Sequence, residues 1–359
     1  GEYGAGVLAV VDVPGSPDRD WRLSVTAARR QARAIGAVAV LVLLGPQFTA
    51  EMIAGEASAM ERPQRTLADP GEIPVFFMTR DAWAEILERE GRAAEILPDS
   101  PATPVVFENV RAHFAAIAKV LEDARPPNVV AILSGRDPEL RDSYVVFSAH
   151  MDHVGVGRPF DGDSIYNGAD DDASGTSALL EVAEAFASMP EPPRRSLVFL
   201  AVSGEEKGLL GSRWFTDHPT IPLDQVVANV NVDMIGRNAP DSVVVIGMEY
   251  SSLGPLVRQV AAEHPEIGIS VMPDPWPEER FFFRSDHFNF VRKEIPAVFF
   301  FAGVHEDYHR PSDEIDRIDG DKSARVARLI FYTARAIAES VEPPQWDPVG
   351  LAEVRALTR

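Results

Sequence analysis

Beyond Asn128 the chain settles into an alternation that few folds can satisfy. Short apolar runs rich in β-branched residues, at 129–133, 144–148, 196–202, 226–231, 242–246 and 297–301, are interleaved with stretches of helical periodicity at 174–187, 209–217, 252–263 and 320–339. Strands joined through helices pair mainly in parallel and are covered on both faces. The expected fold is therefore α/β, a mainly parallel mixed sheet with helices on both sides. In such sheets ligands gather at the carboxyl ends of the strands, where the loops meet. His150, Glu205, Glu206 and Asp233 all stand at or just after the end of one of these runs.

At 359 residues the chain exceeds the usual reach of one hydrophobic core, and its first part has a different texture. Strands are expected at 7–13, 37–44 and 74–78, helices at 21–35 and 81–89, and a surface loop over the polar interval 49–71. Residues 110–121 admit two readings: Val110, Phe114, Ile117 and Leu121 fit a helical face, while Val110, Ala112, Phe114 and Ala116 fit a strand. Pro126-Pro127 ends the segment either way. The boundary is placed there, giving a smaller N-terminal α/β or β-rich module over 1–125, a main domain over 126–345 and a C-terminal tail over 346–359.

A net charge of -21 disfavours a nucleic-acid partner, since gripping phosphates needs a basic surface. No window approaches the roughly 18 or more uninterrupted apolar residues of a membrane span, so a soluble protein is expected. Cysteine is absent. Disulfides and thiolate metal sites are excluded, and a metal would have to be held by His, Asp and Glu. The chain opens in mid-pattern at Gly1, with neither an initiator Met nor a signal peptide, which reads as a trimmed start. A secreted or periplasmic location is the expectation; the oligomeric state is not written in the sequence.

Five short strings carry the chemistry: Ser-Ala-His-Met-Asp with His150, Gly-Ala-Asp-Asp-Asp-Ala-Ser-Gly with Asp171, Ser-Gly-Glu-Glu-Lys-Gly with Glu206, Asn-Val-Asp-Met-Ile-Gly with Asp233, and Tyr-His-Arg-Pro-Ser-Asp with His309. Two imidazoles and three carboxylates suffice for a pair of zinc ions if one carboxylate bridges. Asp152, two residues past His150, is a candidate to fix that ring's tautomer through the second nitrogen, against the plainer reading of a solvated His beside an acidic turn. Asp170-Asp171-Asp172 ahead of a helix start suits capping, yet capping needs no three carboxylates, and a cation relieves their repulsion. Glu205-Glu206 suggests a division of labour, one residue ligating and Glu205 handling the proton of a metal-bound water; a solvated acidic turn is the alternative. His305 and His309 lie four apart, but Gly303 and Pro311 argue for a loop, so His309 alone is taken as a ligand and His305 as solvated. His113, His153, His218 and His264 have no comparable setting and are expected as surface or core histidines. Ser174 and Ser203 lie outside Gly-x-Ser-x-Gly, and neither a Gly-x-Gly-x-x-Gly nor a Walker string occurs.

Over residues 128–338 these strings, with Gly-Glu-Glu-Lys-Gly-Leu-Leu-Gly-Ser and Arg-Ser-Asp-His in the same order, resemble the co-catalytic di-zinc aminopeptidases, relatives of bacterial leucyl aminopeptidase and glutamate carboxypeptidase. The resemblance implies two Zn2+ ions bridged by Asp171, one completed by His150 and Asp233 and the other by Glu206 and His309, with Glu205 as general base and a peptide as substrate. It implies release of N-terminal residues, with a di- or carboxypeptidase, or a one-zinc glutaminyl cyclase, as alternatives. Arg310 and Glu314 depart from the commoner His-Thr-Pro-x-Asp-Thr string without touching a ligand position. Met234, Phe283, Tyr308 and Arg284 are candidates to contact substrate, Arg284 either meeting a carboxylate or pairing with Asp286; a core role is the alternative for the apolar ones. The segment before Asn128 looks like a protease-associated domain, which in relatives shapes access and does no chemistry.

Overall fold

The computed structural model describes residues 7–12, 21–60, 73–89 and 124–358. Two compact units divide the chain, Gly1–Asp123 and Ala124–Thr358.

In the first unit, β1 (Val7–Asp12), α1 (Trp21–Ala34), β2 (Ala37–Leu44), α2 (Ala50–Met60), β3 (Val75–Thr79) and α3 (Arg80–Arg89) follow one another. The three strands form a parallel sheet with β2 in the middle. A central parallel strand is buried on both faces and so is apolar throughout. Val40, Val42 and Leu44 of β2 pack with Ala32 and Phe48, while Leu41 and Leu43 pack with Trp83 and Leu87 of α3. The surface loop expected over 49–71 is corrected at its start, because Ala50–Met60 is helical. Its alanines, glutamates and methionines are good helix formers, and Thr49 Oγ1 accepts from Met52 N at 3.3 Å, capping the first turn. Residues 61–72 and the ambiguous 110–121 lie outside the described residues.

The second unit is built on seven strands: β4 (Val129–Leu133), β5 (Tyr144–His150), β8 (Ser196–Val202), β9 (Val226–Val232), β10 (Ser242–Ile246), β11 (Ser270–Met272) and β12 (Ala297–Phe301). A hairpin, β6 (Gly155–Phe160) and β7 (Asp163–Tyr166), stands apart from them. The order across the sheet is β11-β10-β12-β9-β5-β8-β4. Only β4 against β8 and β10 against β12 are antiparallel. The central four, β12, β9, β5 and β8, therefore run the same way, and their carboxyl ends share one rim.

The helices are α4 (Gly175–Ala187), α5 (Leu210–Asp217), α6 (Leu253–Glu263), α7 (His287–Val291), α8 (Gly320–Glu339) and α9 (Pro348–Thr358). Strand side chains alternate between faces, and the packing follows that rule. Val145 and Phe147 of β5 meet Leu179 and Phe186 of α4, Val257 of α6 and Leu329 of α8. Val146 turns the other way, toward Phe215 of α5 and Phe290 of α7. His150 shares the parity of Val146 and Ser148, and Asp233 that of Asn229 and Asn231, so the functional side chains leave the sheet on the α5/α7 face. On that face a buried polar line runs from Asn229 through Ser148 and Asn231 to Ser285, whose hydroxyl donates to Asp233 Oδ2 at 2.7 Å.

The C-terminal segment expected as a tail is packed: Val354 of α9 is buried with Phe299 and Phe301, Trp346 bridges to Ser251, and Arg355 pairs with Glu294 at 2.6 Å.

Phe147 is fully buried, stacked on Phe199 at 5.0 Å between centroids and 6.1 Å from Phe186. Phe147→Ala is expected to cost about 3–5 kcal/mol of stability, read from urea unfolding; a loss below about 1 kcal/mol would show that the sheet–helix core is not organised around it.

Candidate metal centre

Each candidate ligand arrives from a separate element ending on the common rim. His150 is the last residue of β5, Glu205 and Glu206 form a short 3-10 turn after β8, Asp233 follows β9, and His309 lies in the loop after β12. Asp171 comes from the segment that enters α4.

The three consecutive aspartates have separate tasks. Asp172 is buried and accepts from three main-chain amides, His150 N at 3.1 Å, Gly175 N at 2.9 Å and Met234 N at 3.1 Å, tying β5, α4 and the end of β9 together. Asp170 accepts from Gly236 N at 2.6 Å. The amides of Asp170 and Asp171 are in turn held by the Asp313 carboxylate at 3.0 and 3.1 Å. Asp171 alone is left to face the other ligands.

Its two oxygens point to two different groups. Oδ1 is 3.1 Å from His150 Nε2, which lies 3.6 Å from Asp233 Oδ1. Oδ2 is 3.2 Å from His309 Nε2, itself 3.1 Å from Glu206 Oε2. The donor atoms converge as two sets sharing Asp171: His150, Asp171 and Asp233 in one, and Asp171 and Glu206 with a third imidazole, His153, in the other. His150 Nδ1 faces the main-chain oxygen of Asp152 at 3.0 Å, which leaves Nε2 turned toward the carboxylates. The orienting contact expected from the Asp152 carboxylate thus comes from its carbonyl; the carboxylate is 3.8 Å from the ring and accepts instead from Glu205 N at 3.2 Å.

Burial dominates the electrostatics. It pushes the Glu205 carboxyl well above its ordinary range, and Asp286, Asp233 and Asp171 add to the push against the opposing influence of His150. Burial likewise raises Asp233, and it carries Asp286 to about 7. Where imidazoles stand close they outweigh burial: Glu206 is held at about 2 by His153 and His309, and Asp171 is lowered by His150 and His309. His309 is driven up to about 9, burial being overcome by Asp171 and Glu206. Such a concentration of carboxylates calls for cations. The residues fit that need: His150 Nε2, Asp233 Oδ1, His153 Nδ1 and Glu206 Oε1 are buried without a hydrogen bond, and the donors are nitrogen and oxygen, a set that suits zinc.

Beside these ligands a cleft is lined by Glu205, Arg284 and Tyr308 together with Met234, Phe281, Phe301 and Val304. Of the residues considered as substrate contacts, Met234, Tyr308 and Arg284 line this cleft and Phe283 does not. Residues Phe281–Phe283 form a 3-10 turn, in which consecutive side chains point about 120° apart, so Phe281 reaches the cleft while Phe283 packs edge-on to Phe288 under the Arg280 guanidinium. Arg284 pairs with Glu279 at 3.3 Å and lies over the Phe281 ring, so its ion-pair partner is not Asp286. His305, expected in solvent, has a side chain only 3% exposed and lies 3.3 Å from Asp170 Oδ2. His153, expected as an ordinary surface or core histidine, lies 2.8 Å from Glu206 Oε1; its signal was a second imidazole three residues after His150, at the same strand end. His113 lies outside the described residues.

Residues 128–334, more than half of the chain, match the model of peptidase family M28. Among curated relatives, a probable leucine aminopeptidase from Arthroderma benhamiae is 26% identical over 232 residues, covering 62% of this chain and 61% of that protein. Aminopeptidase YwaD of Bacillus subtilis is 29% identical over 203 residues, covering 54% and 42%. The chain thus spans about three fifths or less of the length of these relatives. Among solved structures, an aminopeptidase from Aneurinibacillus sp. strain AM-1 shares the fold with a TM-score of 0.50 at 20% identity, covering 94% of this chain and 76% of that one. The LapA aminopeptidase of Legionella pneumophila does so with a TM-score of 0.50 at 24% identity, covering 60% and 56%. With the family match over the α/β unit that carries every ligand described above, the chain belongs to peptidase family M28.

Proposed function

We propose that the protein is a zinc-dependent aminopeptidase that binds two Zn2+ ions and removes N-terminal residues from peptides. The observation that carries this reading is the Asp171 carboxylate, one oxygen turned to His150 and the other to His309, with Glu205 in the adjoining cleft. Relatives named as aminopeptidases support it.

Zinc bound at such a pair of positions lowers the pKa of a coordinated water and polarises a carbonyl. His150, Asp171 and Asp233 would hold one ion, and Asp171, Glu206 and His309 the other. The protein's own part is proton handling and placement. Glu205, its backbone amide fixed by Asp152, takes the proton of the attacking water and returns it to the leaving amine. Tyr308, its hydroxyl pushed upward by burial, stays protonated and donates to the substrate carbonyl oxygen. Met234, Phe281, Phe301 and Val304 give the cleft an apolar wall suited to an apolar side chain.

A carboxypeptidase needs a cation free to meet the substrate's terminal carboxylate, and Arg284 is instead engaged with Glu279 and Phe281. The charge of -21 argues against nucleic acid as a partner. No helix among the described residues is long and apolar enough to cross a membrane. The N-terminal unit, read as a protease-associated-like domain, has no assigned chemical role.

The test of function is cleavage of aminoacyl-nitroanilides against N-blocked peptides, with and without chelator, alongside a count of bound zinc. Chelator-sensitive cleavage of the free-amine substrates with two zinc ions per chain is expected. Cleavage of blocked peptides alone would overturn the aminopeptidase reading, and a single ion would favour the cyclase class. Glu205→Gln is expected to keep both ions while losing about 10²–10⁴-fold in kcat; near-normal turnover in that variant would remove Glu205 from the role of base.

A further inference from the structure

His153 sits in the segment after β5, with its side chain only 6% exposed. Its Nδ1 lies 2.8 Å from Glu206 Oε1 and 3.8 Å from Asp171 Oδ2. Despite that closeness neither ring nitrogen has a hydrogen-bond partner, and neither does Glu206 Oε1. A core histidine is ordinarily satisfied by a carbonyl, hydroxyl or carboxylate in hydrogen-bonding geometry. Here two electron-pair donors instead converge on a common space. The ring also stands edge-on to His309, 5.7 Å between centroids, so Glu206 lies between two imidazoles, with Oε1 toward one and Oε2 toward the other.

The backbone opposite is shaped to admit the ring. Gly168 has φ of +67°, and a Cβ there would come within 2.5 Å of His153 Cγ and 2.3 Å of the Asp171 carbonyl oxygen. A side chain at 168 would collide with both the imidazole and the Asp171 carbonyl.

We propose that His153 is a further protein donor at the metal position formed by Asp171, Glu206 and His309. The inference rests on the two-ion reading above and makes the two positions unequal. One has four protein donors, including two imidazoles; the other has three, His150, Asp171 and Asp233, with one imidazole. Four protein donors close a zinc site, whereas three leave a place for water or substrate. The four-donor position should then hold its ion more tightly, and the three-donor position should be the one that exchanges.

The test is zinc affinity at each position, measured by competition with chromophoric chelators on the full chain, for the unmodified protein, His153→Ala and His153→Gln. The unmodified protein should bind two ions with distinct affinities. His153→Ala should weaken the tighter one by more than the about 10–100-fold that loss of an outer hydrogen-bond partner costs. His153→Gln, whose amide could donate to Glu206 but is a poor zinc ligand, should not restore it. Recovery by Gln, or affinities in His153→Ala within about threefold of the original, would overturn the assignment and leave the two-ion reading standing. A single ion in the unmodified protein would sink the reading itself. Should either variant fail to fold, X-ray absorption of the unmodified protein loaded with both ions decides: three imidazoles per pair of zinc ions are expected, and two would overturn the proposal.

Discussion

Three carboxylates in a row inside a protein are tolerable only if each is given something different to hold. Asp172 takes three main-chain amides and Asp170 one, while Asp313 grips the amides of Asp170 and Asp171 from the other side. Asp171 is thereby fixed with its oxygens divided between two groups of ligands. The proposed two-ion site descends from this division, which would give two positions that share one carboxylate.

The sheet supplies the rest of the order. With β12, β9, β5 and β8 all parallel and adjacent, residues far apart in the chain are delivered to one rim on rigid strand ends, which holds geometry more firmly than loops alone. The arrangement has an electrostatic cost. Burying a carboxylate costs several kcal/mol unless it is well paired, and burial raises the carboxyls of Glu205, Asp233 and Asp286. Burial that would be a defect in a structural core becomes a reason to bind metal, and it keeps a proton acceptor of high affinity beside the cleft.

Much of this was legible in the sequence because the informative signals are local. The strands at 196–202, 242–246 and 297–301 and the helix at 320–339 coincide with the observed elements, each being an unbroken apolar run or a long amphipathic stretch. The strings that carry the candidate ligands stand out for a similar reason: His150, Glu206 and Asp233 lie at or just after strand ends, and Asp171 lies in an acidic triplet ahead of a helix start. What escaped notice depends on the third dimension. His153 and His305 read as ordinary until the fold carries the first against Glu206 and the second against Asp170. Phe281, Phe282 and Phe283 are indistinguishable as a string, and only the 3-10 turn selects Phe281 for the cleft. The helix at Ala50–Met60 was hidden by the polar stretch that follows it in the sequence, and the packing of α9 by its position at the chain's end.

The claim most exposed to contradiction is that one carboxylate serves two ions. Metal analysis of Asp171→Asn beside the unmodified protein tests it directly, with circular dichroism to confirm that the variant is folded. Loss of at least one of two zinc ions from the folded variant is the result this account requires; two ions retained at undiminished affinity would contradict it.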